Sequence, residues 1–230
     1  MIINNFNYSF ALPSKGRMRS ESEIFFNKAT NTKLYKDYRD YFFKIKKFNF
    51  VNGIYLHSKE IIERIFDGSL DAGISGLDLL REFPRIYQNK IKVFKVLDFG
   101  EANLCVAIPN DWIDVQTTAD LEEISYLFKD KNNFRIRVAT KYPNLTRKFL
   151  YSKGITQFKI IPSLGATETY PYTGSSEFIV DLVSTGKTLK ANNLRVISDG
   201  LILKSSACIL VARKKLSDNK FLKFLNCFIY

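Results

Sequence analysis

Three stretches of this chain carry side chains whose types and spacing suit the handling of anions. The first is Glu177-Phe178-Ile179-Val180-Asp181-Leu182-Val183-Ser184-Thr185-Gly186-Lys187-Thr188-Leu189. Its apolar, β-branched opening predicts a buried strand, and Lys187 to Asn192 can continue as a short helix. Between them lie small hydroxyl residues and a glycine. That order leaves main-chain N–H groups free at a helix start, where the helix dipole favours negative charge. Gly186 would let a phosphate approach the backbone closely. Ser184, Thr185 and Thr188 add hydroxyl donors, Lys187 adds a positive charge, and Asp181 at the strand end could accept bonds from ribose hydroxyls. A strand, a turn and a helix with ordinary caps would show the same local pattern. The second stretch is Ser14-Lys15-Gly16-Arg17-Met18, two cations around a glycine. The third is Asp71-Ala72-Gly73-Ile74-Ser75-Gly76-Leu77-Asp78. There Ser75, Gly76 and Asp78 could face a ligand, and a glycine-rich turn of the fold is the competing reading.

The elements that must hold these residues alternate between strand and helix. Tyr8 to Pro13 reads as a strand, and Lys15 and Arg17 then fall on the loop after it, the side on which open α/β sheets bind ligands. Ser20-Glu21-Ser22-Glu23 has the form of a capping box before Ile24-Phe25-Phe26. Residues 31–49 are rich in Lys and aromatics and suit a hairpin or extended excursion. Val51 to Leu56 predicts a strand, and Ser58 caps a helix that Gly68 stops. Further strands are expected at residues 91–97, 104–108, 135–140 and 157–161. Helices are expected at residues 120–128 and from Pro143, which suits a first helical turn, to Gly154. Lys141, Tyr142 and Arg147 would sit near that helix start. Two apolar strands, residues 195–203 and 207–212, and an amphipathic helix, residues 218–228, end the order. The pattern is α/β.

Composition narrows the chemistry. The 230 residues are 46% hydrophobic and 25% charged, which suits a globular protein with a proper core. No apolar run is long enough to span a bilayer, and Met1 to Asn5 lacks the basic start of a signal peptide, so the cytoplasm and no membrane association are expected. Cys105, Cys208 and Cys227 are scattered and form neither a metal spacing nor a disulfide framework. With His57 as the single histidine, neither a zinc site nor a Ser-His-Asp triad is expected. An enzyme built this way would work by positioning and charge stabilisation. The net charge of +12 suits nucleic acid, a membrane surface or polyanionic small substrates. The cations are spread along the chain, and only Lys33 to Lys47 interleaves them with aromatics, so a solvated surface is the expectation and nucleic acid is not.

Five ordered blocks turn these readings into a family resemblance. Ala11-Leu12-Pro13-Ser14-Lys15-Gly16-Arg17-Met18 resembles the N-terminal signature of ATP phosphoribosyltransferase, the first enzyme of histidine biosynthesis. The Asp71–Asp78 stretch resembles that family's Asp-x-Gly-[Ile/Val]-x-Gly-x-Asp segment. Arg137 to Arg147 and Ser163-Leu164-Gly165-Ala166-Thr167-Glu168 resemble two more of its blocks. The Glu177–Leu189 stretch, extended to Leu194, resembles its phosphoribosyl-pyrophosphate motif. Tyr170 and Tyr172 stand where the family usually has smaller residues.

The resemblance implies two lobes like those of type II periplasmic binding proteins, with the second inserted in the first and the active-site cleft between them. Residues 1–98 and 193–230 would form lobe I, and residues 99–192 lobe II with the phosphoribosyl-pyrophosphate loop. It implies the family's short form, without a C-terminal regulatory domain. A homodimer would then assemble with a histidyl-tRNA-synthetase-like regulatory subunit into a hetero-oligomer. The implied reaction transfers phosphoribosyl from phosphoribosyl pyrophosphate to the adenine N1 of ATP, with Mg2+ on the pyrophosphate and no metal ligand assigned to the protein. Lys15 and Arg17 would be catalytic, meeting the pyrophosphate or the ATP phosphates. Ser184, Thr185, Gly186, Lys187 and Thr188 would hold the 5′-phosphate, Asp181 the ribose hydroxyls, and Glu168 the ribose or the metal. Ser75, Gly76 and Asp78 would face ATP. A non-catalytic small-ligand binding protein of the same fold is the alternative.

Overall fold

A computed structural model describes residues 8–36 and 41–229. Met1 to Asn5 and part of the Lys- and aromatic-rich 31–49 segment therefore lie outside the described residues. In chain order the elements are β1 (Tyr8–Pro13), α1 (Gly16–Thr30), β2 (Tyr35–Lys36), β3 (Phe42–Lys44), β4 (Val51–Leu56), α2 (Ser58–Asp67), β5 (Ala72–Gly76), α3 (Leu77–Glu82), α4 (Arg85–Lys90) and β6 (Ile91–Val96). Then come β7 (Ala102–Pro109), α5 (Thr118–Asn132), β8 (Ile136–Thr140), α6 (Pro143–Ser152), β9 (Phe158–Pro162), β10 (Phe178–Val183), α7 (Lys187–Ala191) and β11 (Leu194–Ser205). The order closes with β12 (Ala207–Ala212) and α8 (Asn219–Leu225).

The chain forms two compact units. One ends at Glu101 and resumes at Ser206; the other is Ala102–Ser205. The sheet of the first runs β2-β3-β4-β1-β5-β12-β6. Its centre is parallel: Pro13 lies beside Leu56 and Ala11 beside Gly73, so β1, β4 and β5 end at one edge. Phe10, Phe26, Phe43, Phe224 and Phe228 are fully buried on one face, and the rings of the pairs Phe10–Phe26, Phe26–Phe43, Phe26–Phe228 and Phe224–Phe228 have centroids 5.2–5.7 Å apart. Tilted and edge-on pairs at such separations add attraction beyond area burial. On the other face Ile61, Ile62 and Ile65 of α2 pack against Leu210 and Ala212.

The sheet of the second unit runs β11-β7-β10-β8-β9. Strands β8, β9 and β10 are parallel, with Thr140 abreast of both Pro162 and Val180. The chain passes from β8 to β9 and then back across to the other side of β8, so the strand order reverses between β8 and β10. Such a reversal opens a crevice at the carboxyl ends of the strands.

Three expectations are corrected. The return to the first lobe was placed at residue 193, but β11 pairs antiparallel with β7, from Leu194 opposite Pro109 to Ser205 opposite Ala102. Residues 194–205 therefore belong to the second sheet, and the crossing falls at Ser206. The Ser20–Glu23 capping box does not form, because α1 already begins at Gly16, whose φ of 67° turns the chain directly after Lys15. Glu21 and Glu23 instead pair with Arg17 and Arg19 one turn earlier, at 2.8 and 3.0 Å. The N-cap of α2 is His57, whose Nδ1 accepts from Lys59 N–H at 3.4 Å, so Ser58 is the first helical residue.

Candidate active site

The carboxyl edge of the first sheet carries the first group of candidates. Lys15 is extended (φ −142°, ψ 158°), exposed and without an ion pair among the described residues. Arg17 lies in the first turn of α1, with its side chain 74% exposed and its Nε donating to Glu21. Its place is thus a helix start, one step beyond the expected loop. Ser75 is wholly buried, and its hydroxyl donates to the Ser58 carbonyl at 2.8 Å, tying β5 to the start of α2. Asp78 is also buried, and its carboxylate folds back over Gly76, where a Cβ would fall on Oδ1. In this conformation Ser75, Gly76 and Asp78 shape the β5–α3 turn. Burial, with the Asp78 charge adding to it, pushes the neighbouring Cys208 thiol up to about 12.

The carboxyl edge of the second sheet gathers a denser group. Its parallel strands release three loops side by side, beginning at Lys141, Ser163 and Ser184. Ser163 N–H donates to the Thr140 carbonyl at 3.0 Å, lacing the second loop to the end of β8. Ser163 and Thr167 exchange a hydroxyl bond at 2.9 Å, and Ala166 takes a left-handed conformation between them (φ 45°). The turn brings buried Thr167 up to the Asp181 carboxyl and sets Glu168 close by.

Asp181 is the electrostatic centre of this edge. Burial raises its pKa above the ordinary carboxylate range, and the Glu168 charge adds to that. The Leu182 N–H, at 2.8 Å, the Lys141 ammonium and the Thr167 hydroxyl act in the opposite direction without cancelling it. A carboxylate held this way is short of donors, and ligand hydroxyls or a cation would stabilise its charged form.

The third loop follows directly. Gly186 has φ 71°, and no atom lies within 4 Å of where its Cβ would stand, so backbone conformation is what requires glycine there. Ser184, Thr185, Lys187 and Thr188 are all exposed. Among the described residues, no hydrogen bond engages their side chains or the N–H groups of Ser184, Thr185 and Gly186. Since α7 is only five residues long, the loop's attraction for anions rests on these N–H groups, the hydroxyls and Lys187 more than on a helix dipole. Lys141 is expected near a helix start with no role of its own, and Thr167 carries no expected role. Each adjoins a residue or block already noted, but only the β10-β8-β9 order brings both to Asp181.

The sequence profile of the ATP phosphoribosyltransferase family matches residues 57–227, which include every candidate except Lys15 and Arg17. The chain belongs to the ATP phosphoribosyltransferase family. It is 42% identical to an ATP phosphoribosyltransferase of Nitrobacter winogradskyi over 89% of its own length and 63% of that protein's. It is 41% identical to one from a Chelativorans species, over 90% of this chain and 91% of that one. The chain thus spans less than two thirds of the first of these relatives and nearly all of the second.

Solved structures bear on the fold. A chain of the ATP phosphoribosyl transferase (HisG:HisZ) complex from Thermotoga maritima superposes with a TM-score of 0.74 at 23% identity, covering 96% of both chains. The ArgBP protein of the same organism superposes at 0.54 with 12% identity, over 96% of this chain and 87% of that one. The fold is the α/β architecture shared by the family and the type II periplasmic binding proteins.

Proposed function

We propose that the chain is a catalytic subunit that transfers phosphoribosyl from phosphoribosyl pyrophosphate to the adenine N1 of ATP, releasing pyrophosphate in the first step of histidine biosynthesis. The observation that carries this reading is the convergence of Asp181, Glu168, Lys141 and the open Ser184–Thr188 loop on one sheet edge, in a chain of this family. The non-catalytic small-ligand alternative is not favoured by that membership.

The chemistry asks little of proton transfer. Adenine N1 carries a free lone pair at neutral pH and attacks the anomeric carbon as the bond to pyrophosphate breaks. Positive charge develops on the sugar and negative charge on the leaving group. The Ser184, Thr185 and Thr188 hydroxyls, the Gly186 N–H and the Lys187 ammonium hold the 5′-phosphate. Asp181 accepts from the ribose hydroxyls, and Glu168 stands beside it for the ribose or the metal. Lys15 and Arg17 meet the pyrophosphate or the ATP phosphates, with Lys15 the less encumbered of the two. Preorganised donors of this kind are worth about 10²–10³ in rate each. Ser75, Gly76 and Asp78 are assigned to ATP, through the β5–α3 turn that they shape.

Among the described residues no three His, Cys, Asp or Glu side chains gather into a metal cage. Asp181 and Glu168 nevertheless feel one another's charge, a pair that suits Mg2+ carried in on substrate phosphates, where one or two carboxylates suffice. Bound there, Mg2+ would neutralise the leaving pyrophosphate. The partner in this reading is a histidyl-tRNA-synthetase-like regulatory subunit bound to a homodimer of this chain, in line with the HisG:HisZ complex of the T. maritima neighbour. The compartment is the cytoplasm; no described helix is long and apolar enough to cross a membrane.

The test is to mix the chain with ATP, Mg2+ and phosphoribosyl pyrophosphate, with and without the regulatory subunit. Pyrophosphate release together with N1-alkylated adenine is expected in at least one arm. No product in either arm overturns the proposal.

A further inference from the structure

A second concavity lies in the unit Ala102–Ser205, at the other end of α7 from the loop just described. Strands β7 and β10 run antiparallel, with Asn103 opposite Val183 and Ala107 opposite Ile179. Pro109, at the far end of β7, is therefore about 20 Å along the sheet from the level of Val183, at about 3.4 Å per residue. The cavity there measures about 260 Å³, and its walls include Pro109, Asp111, Trp112, Pro171, Tyr172 and Asn193.

Two of its walls are tied together. Asn110 N–H donates to the Asn193 carbonyl at 2.9 Å, and Asn110 Nδ2 donates to Asn193 Oδ1 at 2.8 Å. Behind the turn, Arg195 donates to the carbonyls of Trp112 and Val115 at 2.7 and 2.6 Å, which fixes the backbone that presents Trp112. The third wall is the Pro171-Tyr172 turn, where Tyr172 is 65% exposed although it is a large aromatic side chain.

The lining is unusual for this molecule. The chain carries +12 overall, yet the one charged side chain among the cavity's lining residues is the Asp111 carboxylate. Asp111 forms no ion pair among the described residues, and its one hydrogen bond, from Asn193 Nδ2, is long at 3.5 Å. Aromatic faces beside an exposed carboxylate without an ion pair attract planar cations, above all guanidinium, which stacks on rings and forks onto carboxylates. Size points the same way, since 260 Å³ is below the roughly 300–1,000 Å³ of pockets for nucleotide- or drug-sized ligands. We propose that this cavity binds a guanidinium group, with Asp111 taking its charge and Trp112 and Tyr172 its planar faces.

Trp112 is the only tryptophan in the chain, so its fluorescence reports on this cavity alone. At constant ionic strength the full chain is titrated with free L-arginine and with N-acetyl-L-arginine amide, which mimics an arginine inside a polypeptide. A saturable change in Trp112 emission with at least one probe is expected, and the tighter of the two identifies the source as a small molecule or a protein side chain. Asp111→Asn should weaken binding about 2- to 5-fold, the size of an exposed charge pair. Tyr172→Leu should weaken it about 2- to 5-fold. N-acetyl-L-citrulline amide, of the same shape without the charge, should not saturate. The proposal is overturned if neither arginine probe saturates, if citrulline matches them, or if folded Asp111→Asn binds as the parent does.

Discussion

Asp181 is a carboxylate set where burial works against its charge, and its consequences run in opposite directions for stability and for binding. Its folded pKa lies above the unfolded value, so ionised Asp181 weakens the fold at pH above the folded pKa, and this penalty fades as pH falls through that value towards the unfolded one. Asp181→Asn should therefore melt at the same temperature as the parent or higher at pH 7–8, measured by scanning fluorimetry. The same variant should bind phosphoribosyl pyrophosphate more weakly by calorimetry. In the parent, an added loss of affinity should begin at a pH above the ordinary aspartate range and be missing from Asp181→Asn. The hydroxyl–glycine order of residues 184–188 is legible in sequence because it is local. The company of Asp181 is not, since Lys141, Thr167 and Glu168 come from two other loops and reach it only once β8, β9 and β10 lie side by side.

At the scale of elements, strands and helices were legible where a single period ruled, and their ends were not. Ser20-Glu21-Ser22-Glu23 satisfies a capping box, yet the same glutamates are spaced four residues after Arg17 and Arg19, and the helix takes that second option. The cap of α5 shows the reverse case. Thr117 accepts from Asp120 N–H while Asp120 accepts from Thr117 N–H at 2.8 Å, so the helix begins earlier than its amphipathic run suggests. Thr117→Ala should cost about 1 kcal/mol in denaturant unfolding. Strand β11 was legible as a strand but not as a member of the second sheet, because an apolar run does not name its pairing partner. The Glu177 carboxylate clamps the starts of β8 and β10 through the Arg137 guanidinium and main-chain N–H. Glu177→Ala leaves both donors of that half-buried pair unmet and should destabilise by about 1–3 kcal/mol.

For the molecule as a whole, the charge of +12 was the feature most open to misreading. In the described part of the Lys-rich 31–49 segment, Phe43, Ile45 and Phe48 are buried core residues, while Lys44, Lys46 and Lys47 face outward. Phe43 and Phe48 hold the fold, while Tyr35, Tyr41 and Phe42 are exposed and Lys46 lies over the Tyr35 ring; a patch this short should bind single-stranded nucleic acid weakly, and the binding should vanish by physiological salt in a filter-binding assay. The family blocks were legible because each is a loop at the end of a strand, where spacing in sequence and position in space coincide. The measurement that bears most directly on the proposed site is calorimetric binding of phosphoribosyl pyrophosphate to the parent and to Thr185→Val and Gly186→Val, with folding checked by circular dichroism. Loss of a hydroxyl that bonds a charged phosphate should weaken binding about 10- to 100-fold in Thr185→Val, and Gly186→Val, strained at φ 71°, should weaken it at least as far. Folded variants that bind as tightly as the parent would contradict the assignment of the 5′-phosphate to this loop.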